Sequence, residues 1–504
     1  MALVGLGAPS RAAARVAGWA WPLRALLFVA LGAAVALGQV PFALPAVALA
    51  ALVAAFALAG SMGAGAGFLL GFGYAAVAMH WIVEPFLVEP ERTGFLAPLG
   101  LLAMAGGFGL FWALPFGIAR RLRLGRLGLA VLWTGAEMLR SLALTGLPWA
   151  LVGHVWTETP LAQLAAVIGV HGLTLGTLLA AAAMASPRLP AALRLGPPVL
   201  LAAGVVLLDP GPPPELGPDR PLLRVVQPNI PQAEKWDPDL AEVHTRRLID
   251  LSRGAEPAAL TVWPETAPDA LLEWAGPILA AGAEAGGGLL ATGVARAEGE
   301  RYFNSLALAD RSGATLGLYD KAHLVPFGEY MPYRETLAAW GLRGLAEFQG
   351  MGFGAGPGAA LMEVPGVGLA RPLICYEGIF AEEIGRERAD FLLLVTNDAW
   401  FGRFAGPQQH LAIGRMRAIE QGLPLVRSAN TGISAVVDGK GRVLASLPLD
   451  EAGAIEARLP PPLAPTPYSR GGDWPVAGSL LLLGLLAFIQ RRQVRGVDPG
   501  AGRA

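Results

Sequence analysis

Polar and apolar residues are sorted along this chain of 504 residues into blocks rather than mixed evenly. Positions 1–208 are overwhelmingly apolar, positions from about 221 to 460 alternate, and 475–490 are apolar again. A helix that crosses a membrane needs about 20 mostly apolar residues. The first block offers seven such runs, at roughly 23–38, 41–59, 62–82, 95–118, 127–145, 162–185 and 195–208, and an eighth lies at 474–490. A cleaved signal peptide would account for the first run but not for those that follow. Asp209-Pro210-Gly211-Pro212-Pro213-Pro214 opens a stiff linker, and a second proline-rich stretch from Pro460 to Pro467 leads back to the last run. The expected organisation is a membrane domain over 1–208, a linker at 209–220, a soluble domain over 221–460, a C-terminal span at 474–490 and a tail at 491–504.

Within the soluble block, short β-rich segments alternate with helical patterns. Strands are expected at 222–227, 259–263, 288–293, 304–308, 315–319, 367–375, 391–395, 424–428 and 434–437, with helices at 238–254 and 269–285. Asp310-Arg311-Ser312-Gly313 supplies a turn between two of the strands. Such alternation predicts an α/β domain with a mixed sheet, in which reactive groups gather where strands end.

Composition strengthens the membrane reading. Apolar residues make up 54% of the chain and charged residues 15%, with a mean hydropathy of +0.49; soluble domains carry about a quarter charged residues. A net charge of −1 gives no sign of a polyanion partner, and no motif or basic aromatic stripe points to nucleic acid. Arginines favour cytoplasmic loops. Arg11, Arg15 and Arg24, then Arg120, Arg121, Arg123 and Arg126, then Arg188 and Arg194, and finally Arg491, Arg492 and Arg495 all fall on one side if seven spans precede the linker. The soluble domain then falls on the other, extracytoplasmic side. Glu137 and Arg140 lie one helical turn apart inside an apolar run, a spacing that suits a mutual pair. The six histidines are scattered with no zinc-like spacing, and nothing calls for a metal or cofactor.

Cys375 is the only cysteine. It follows Pro372-Leu373-Ile374, where a small buried hydrophobe fits as well as a nucleophile. Two other strand-like stretches end in Trp263-Pro264-Glu265 and Tyr319-Asp320-Lys321. A thiol of ordinary pKa is mostly protonated near neutrality, so it needs a base or a cation beside it. Glu265 has the chemistry to take its proton, and Lys321 to stabilise a thiolate and then an oxyanion.

Taken together, Trp263-Pro264-Glu265, Lys321-Ala322-His323-Leu324-Val325-Pro326-Phe327-Gly328-Glu329 and Cys375-Tyr376-Glu377 resemble, in order and spacing, the three motifs of the nitrilase (carbon–nitrogen hydrolase) superfamily. Asn397-Asp398-Ala399-Trp400-Phe401-Gly402 and Asn430-Thr431-Gly432 continue the likeness. Within that superfamily, seven spans before the domain and one after resemble the layout of the apolipoprotein N-acyltransferases. The resemblance implies a polytopic α-helical membrane domain joined to an α/β nitrilase-like domain, an α-β-β-α sandwich. It implies acyl transfer from a phospholipid, chiefly phosphatidylethanolamine, through a cysteine thioester to the α-amine of diacylated apolipoproteins, in a bacterial inner membrane with the catalytic domain extracytoplasmic and no cofactor.

By the same resemblance Cys375 is nucleophile, Glu265 base and Lys321 oxyanion-stabilising cation, with Glu329, Tyr376 and Glu377 in support. Trp236 matches an aromatic on a substrate-facing loop, Trp400 and Phe401 are candidates for an acyl pocket, and Pro326 to Pro332 and the glycines from Gly350 to Gly358 are candidate lids. The rival reading is a membrane-anchored carbon–nitrogen hydrolase cleaving amides with the same three residues. Some eight spans, where an anchor needs one, favour a lipid substrate.

Overall fold

The computed structural model describes residues 11–58, 63–187, 189–332, 352–385 and 387–496; Gly350, Arg188 and the tail beyond 496 lie outside them. The chain forms two compact units, Met1–Pro210 with Arg470–Ala504, and Gly211–Ser469.

The first unit is helical. Helices occupy Trp21–Ala36, Pro45–Leu58, Ala64–Ala78, Ala97–Leu122, Gly125–Leu142, Ala165–Met184, Ala191–Leu207 and Trp474–Gly496, one on each apolar run of the sequence. Among the described residues, Pro90–Leu122 and Pro160–Met184 are long and apolar enough to cross a membrane, and a third candidate is the pair Ala64–Ala78 and His80–Leu87, bent by 51°. Trp21–Ala36, Pro45–Leu58, Ala191–Leu207 and Trp474–Ile489 are apolar but shorter. Gly125–Leu142 is interrupted by Arg126, Glu137 and Arg140. Proline explains two of the departures from the predicted runs: Pro45 opens its helix four residues late, and Pro85 lies in the 3-10 stretch that follows the bend.

This unit buries a few polar groups within a largely apolar interior and leaves large apolar side chains exposed on its outside. Phe95, Leu110, Leu144, Leu200, Val206 and Leu481 are all more than half exposed, whereas Gln39, Thr134, Glu137 and Arg140 are buried. An apolar outer surface suits a lipid solvent, where outward apolar faces cost nothing and polar groups must find partners indoors. Glu137 and Arg140 do pair, at 3.0 Å. Trp112 Nε1 donates to the other oxygen of Glu137 at 2.6 Å, and Arg140 also donates to the carbonyls of Leu147 and Trp149.

The second unit is built on two six-stranded sheets rather than one. Strands β1 (Leu222–Gln227), β2 (Leu260–Trp263), β3 (Leu289–Glu298), β4 (Arg301–Ala309), β5 (Thr315–Asp320) and β12 (Gly453–Arg458) form the first, in the order β12-β1-β2-β3-β4-β5. Strands β6 (Met362–Val364), β7 (Gly368–Ile374), β8 (Phe391–Thr396), β9 (Leu425–Ala429), β10 (Ser434–Val437) and β11 (Val443–Leu447) form the second, in the order β11-β10-β9-β8-β7-β6. Each has a parallel centre, β1-β2-β3 and β7-β8-β9, flanked by antiparallel neighbours.

The two-residue period of a strand assigns each side chain to a layer. Leu223, Val225, Leu393 and Val395 meet in the core between the sheets. Val226, Trp263 and Leu290 pack outward with Leu279 and Ala283 of the helix Leu272–Gly286. Leu392, Leu394 and Leu425 pack outward with Ala418 of the helix Gly406–Gln421. The layers are therefore α-β-β-α. The proline stretch after 460 packs on this unit rather than running free: Leu463 N donates to the Gly422 carbonyl at 2.9 Å.

Removing Glu137 leaves a buried guanidinium short of its counter-charge. Glu137→Ala is expected to destabilise the helical unit by about 3 kcal/mol, read as a lowered unfolding temperature in detergent, while truncation of the exposed Leu99 leaves that temperature unchanged.

Candidate active site

Three strand ends deliver the three predicted groups. Glu265 follows β2, Lys321 follows β5 and Cys375 follows β7, so the two sheets contribute to one cluster. Lys321 Nζ lies 3.4 Å from Glu265 Oε1 and 2.9 Å from Glu329 Oε1. Asn304 Nδ2, on β4, donates to the same two oxygens at 2.7 and 3.1 Å. The second oxygen of Glu265 accepts from Asn397 N at 2.8 Å, and that of Glu329 from Val325 N at 2.7 Å. Both carboxylates thus present fixed faces to one ammonium.

The turn that carries Glu265 is set by backbone contact. Gly293 N donates to the Pro264 carbonyl at 3.1 Å, and Ala267 N to the Gly293 carbonyl at 2.9 Å. A Cβ on Gly293 would lie 2.4 Å from Glu265 Cα and 2.6 Å from Thr266 N. Only glycine permits that approach.

Cys375 occupies the left-handed region with φ of +50°, a conformation that costs a non-glycine residue about 1–3 kcal/mol and persists only when its surroundings impose it. Glu377 is the chief constraint. Its Oε2 accepts from Ile374 N at 2.8 Å, and its Oε1 accepts from Tyr319 OH and Ala322 N, each at 2.7 Å, and from His323 N at 3.2 Å. One side chain thereby ties the Cys375 turn to the loop that leaves Lys321. Behind the cysteine, His410 spans the Cys375 carbonyl (3.2 Å from Nε2) and Asp398 (2.9 Å from Nδ1), and Asp398 in turn pairs with Arg427.

Charge in this pocket follows from burial and partners. Burial disfavours the Lys321 cation, but Glu329 and then Glu265 outweigh it and hold the ammonium above its ordinary range. Burial likewise opposes the Glu265 anion, yet Lys321, Asn304, Lys235 and the Asn397 amide bring its pKa below the usual carboxylate value. The Cys375 thiol is pushed well up, first by burial and next by the Glu265 charge, against the pull of Lys321. These directions favour a protonated Cys375 thiol beside an ionised Glu265 and a charged Lys321. Burial raises Glu377 to about 6 despite its four donors. Asp398 stays at about 2, because Arg427 and His410 overcome its burial.

The remaining predicted residues separate by environment. Tyr376 is buried beside His323 and Phe380, with ring centroids 5.5 and 5.0 Å away. Trp236 is half exposed. Trp400 is partly buried in the short turn Asp398–Phe401. Phe401 packs against the core between the sheets, so it is at least in part a core residue. The glycines from 352 onward lie along the sheet edge: Gly354 N donates to Tyr302 O at 2.7 Å and Gly356 N to Lys321 O at 2.8 Å. A Cβ on Gly356 would sit 2.2 Å from Asp320 O, so close approach accounts for that glycine. Sequence reasoning missed Lys235, Asn304 and His410 as parts of the site. Only Lys235, beside Trp236, stood next to a flagged position. Among the described residues no group of three or more His, Cys, Asp or Glu is placed to hold a metal ion.

Gly293→Ala is expected to displace Glu265 and slow alkylation of the Cys375 thiol by iodoacetamide about a hundredfold, the usual cost of a misplacement near 1 Å, with the unfolding transition retained. A wild-type rate in the folded variant would show that the placement of Glu265 does not depend on this backbone contact.

Comparison with known proteins extends over both units. The Apolipoprotein N-acyltransferase N-terminal domain matches residues 31–183, and the Carbon-nitrogen hydrolase family matches residues 222–466. The apolipoprotein N-acyltransferase of Rhodopseudomonas palustris is 37% identical over 94% of this chain and 96% of its own length. That of Bradyrhizobium diazoefficiens is 37% identical over the same shares, 94% and 96%, and that of Brucella melitensis 38% over 84% of each. Among solved structures, a CN-hydrolase superfamily protein from Xanthomonas campestris shares 19% identity over 48% of this chain and 91% of that one, with a TM-score of 0.36. An amidase from Nesterenkonia covers 52% of this chain and 97% of its own at 19% identity and a TM-score of 0.37.

Proposed function

The chain belongs to the apolipoprotein N-acyltransferase family, and on that premise we propose that Cys375 carries a phospholipid acyl group as a thioester and passes it to the α-amine of the diacylglyceryl-cysteine that begins an apolipoprotein. The observation that carries this reading is the shared ammonium of Lys321, which holds Glu265 and Glu329 in fixed positions at the strand ends that also deliver Cys375.

In the first half-reaction the thiol proton moves to Glu265 as sulfur attacks the ester carbonyl. Lys321 stabilises the oxyanion. The carbon–oxygen bond breaks, and the lysophospholipid alkoxide leaves with the proton held by Glu265. In the second, the acceptor amine attacks the thioester, Glu265 removes its proton, the carbon–sulfur bond breaks and the thiolate regains a proton from Glu265. Glu329, bonded to Lys321 and to the Val325 amide, fixes the direction of the ammonium. Glu377 holds the cysteine turn in register with the lysine loop. Tyr376, buried beside His323 and Phe380, supports the cysteine turn, while Trp236, Trp400 and the outward part of Phe401 are assigned to substrate contact, with phosphatidylethanolamine as the acyl donor.

The apolar outer faces of the helical unit support residence in a bilayer, where both substrates keep their acyl chains out of water. We read the eight apolar runs, including the helices shorter than a full span, as seven spans before the soluble domain and one after; with the basic loops in the cytoplasm, residues 221–460 then lie on the extracytoplasmic side of a bacterial inner membrane.

Purified protein given labelled phosphatidylethanolamine is expected to gain one acyl mass at Cys375, discharged when a diacylated lipopeptide is added. Cys375→Ala abolishes the adduct, and Glu265→Gln slows its formation by about a hundredfold or more. Acylation that persists without Cys375 overturns the assignment; ammonia release from simple amides without acyl transfer identifies a hydrolase instead.

A further inference from the structure

Two carboxylates against one ammonium leave the cluster of Glu265, Glu329 and Lys321 with one negative charge, a setting hostile to a thiolate and to an oxyanion. A second buried cation stands beside it. Lys235, in the segment between β1 and the helix Ala241–Leu251, is only 5% exposed. Its Nζ donates to the Glu265 carbonyl at 3.0 Å and to Thr266 Oγ1 at 2.8 Å. Thr266, like Cys375, is held in the left-handed region, at φ of +45°.

Two neutral acceptors poorly repay the burial of an ammonium, since a neutral donor would bond them at lower desolvation cost. The charges that face Lys235 are Glu265 and Asp269 from the segment after β2, and Cys375 from the end of β7. His244 of the adjoining helix, which shares Asp269 with Lys235, has Arg247, Glu234 and Asp237 as its other charged neighbours. The cation is thus set where the base and the nucleophile both feel it, and it brings the charge of the cluster to neutral.

We propose that Lys235 is a second positioning cation for the acyl-transfer chemistry: it clamps the Glu265–Thr266 turn and supplies positive charge beside both Glu265 and Cys375, supporting the negative charge as it passes from the carboxylate to the sulfur. The inference rests on Cys375 being the nucleophile, as assigned above. Burial lowers Lys235 to about 8, against the pull of Glu265, Cys375 and Asp269. The ammonium is therefore charged below that value and neutral above it, so its support is present near neutrality and fades as pH rises through about 8.

Because Cys375 is the only thiol, its thiolate can be read without any lipid substrate. The full chain in detergent is treated with iodoacetamide across pH 6–10 and followed by intact mass. A carbon–sulfur bond forms, iodide leaves, and the thiol proton passes through Glu265 to water. Lys235→Met is expected to slow alkylation about tenfold at pH 7, the effect of one pKa unit, while Lys235→Arg restores most of the rate. The wild-type rate flattens above pH about 8 as Lys235 loses its charge, whereas the arginine variant keeps climbing. A folded Lys235→Met chain that reacts at the wild-type rate, or an arginine variant as slow as the methionine one, overturns the proposal. Should Lys235→Met fail to unfold cooperatively, the wild-type and arginine profiles decide, and superimposable curves overturn the proposal. Lipid acylation that fails while these profiles hold would refute the acyl-transfer reading alone.

Discussion

A single ammonium buried between two carboxylates is the interaction on which the catalytic unit depends. Lys321 Nζ reaches Glu265 and Glu329 at once, and each carboxylate is satisfied again by a backbone amide and by Asn304. Charges this deep are tolerable only when geometry leaves little unpaired. That condition dictates much else: β2 and β5 must end at the same edge of one sheet, β7 must end there from the other, and Gly293 must carry no side chain so that the Glu265 turn can seat. The layered core between the sheets supplies the rigidity that loops alone would lack.

The helical unit solves the reverse problem with the same bookkeeping of partners. Its charged groups are few, and Glu137 and Arg140 spend their hydrogen bonds on each other, on Trp112 and on loop carbonyls. Its outward surface is left to leucine, valine and aromatic side chains, which need an apolar solvent to be stable there.

What could be read from the sequence was whatever depended on neighbours along the chain. Strands β1 to β5 and β7 to β10 announce themselves by β-branched and apolar runs, and the glutamate, lysine and cysteine stand directly after such runs. Strand β12 did not, because Gly453-Ala454-Ile455-Glu456-Ala457-Arg458 is poor in strand formers and owes its state to pairing along the whole of β1. The helix Gly406–Gln421 was hidden by the polar residues it buries, Gln409, His410, Arg417 and Glu420 among them. The partition into two sheets was likewise invisible to local pattern, and came only from likeness to a known fold. Lys235 and His410 escaped for one reason: their partners, Glu265 and Cys375, lie 30 and 35 positions away, where no spacing rule reaches.

Cys375 belongs to the same apolar cluster that joins the two sheets, in company with Ile374, Val395 and Val426. A thioester formed there inherits the dryness of the protein interior. Water is the most abundant competitor that an acyl-enzyme faces, and a cysteine only 6% exposed within that cluster offers it little access. On the proposed mechanism the interior of the sandwich would act as a clock for the intermediate, setting how long a loaded enzyme could wait for an amine before its cargo was lost.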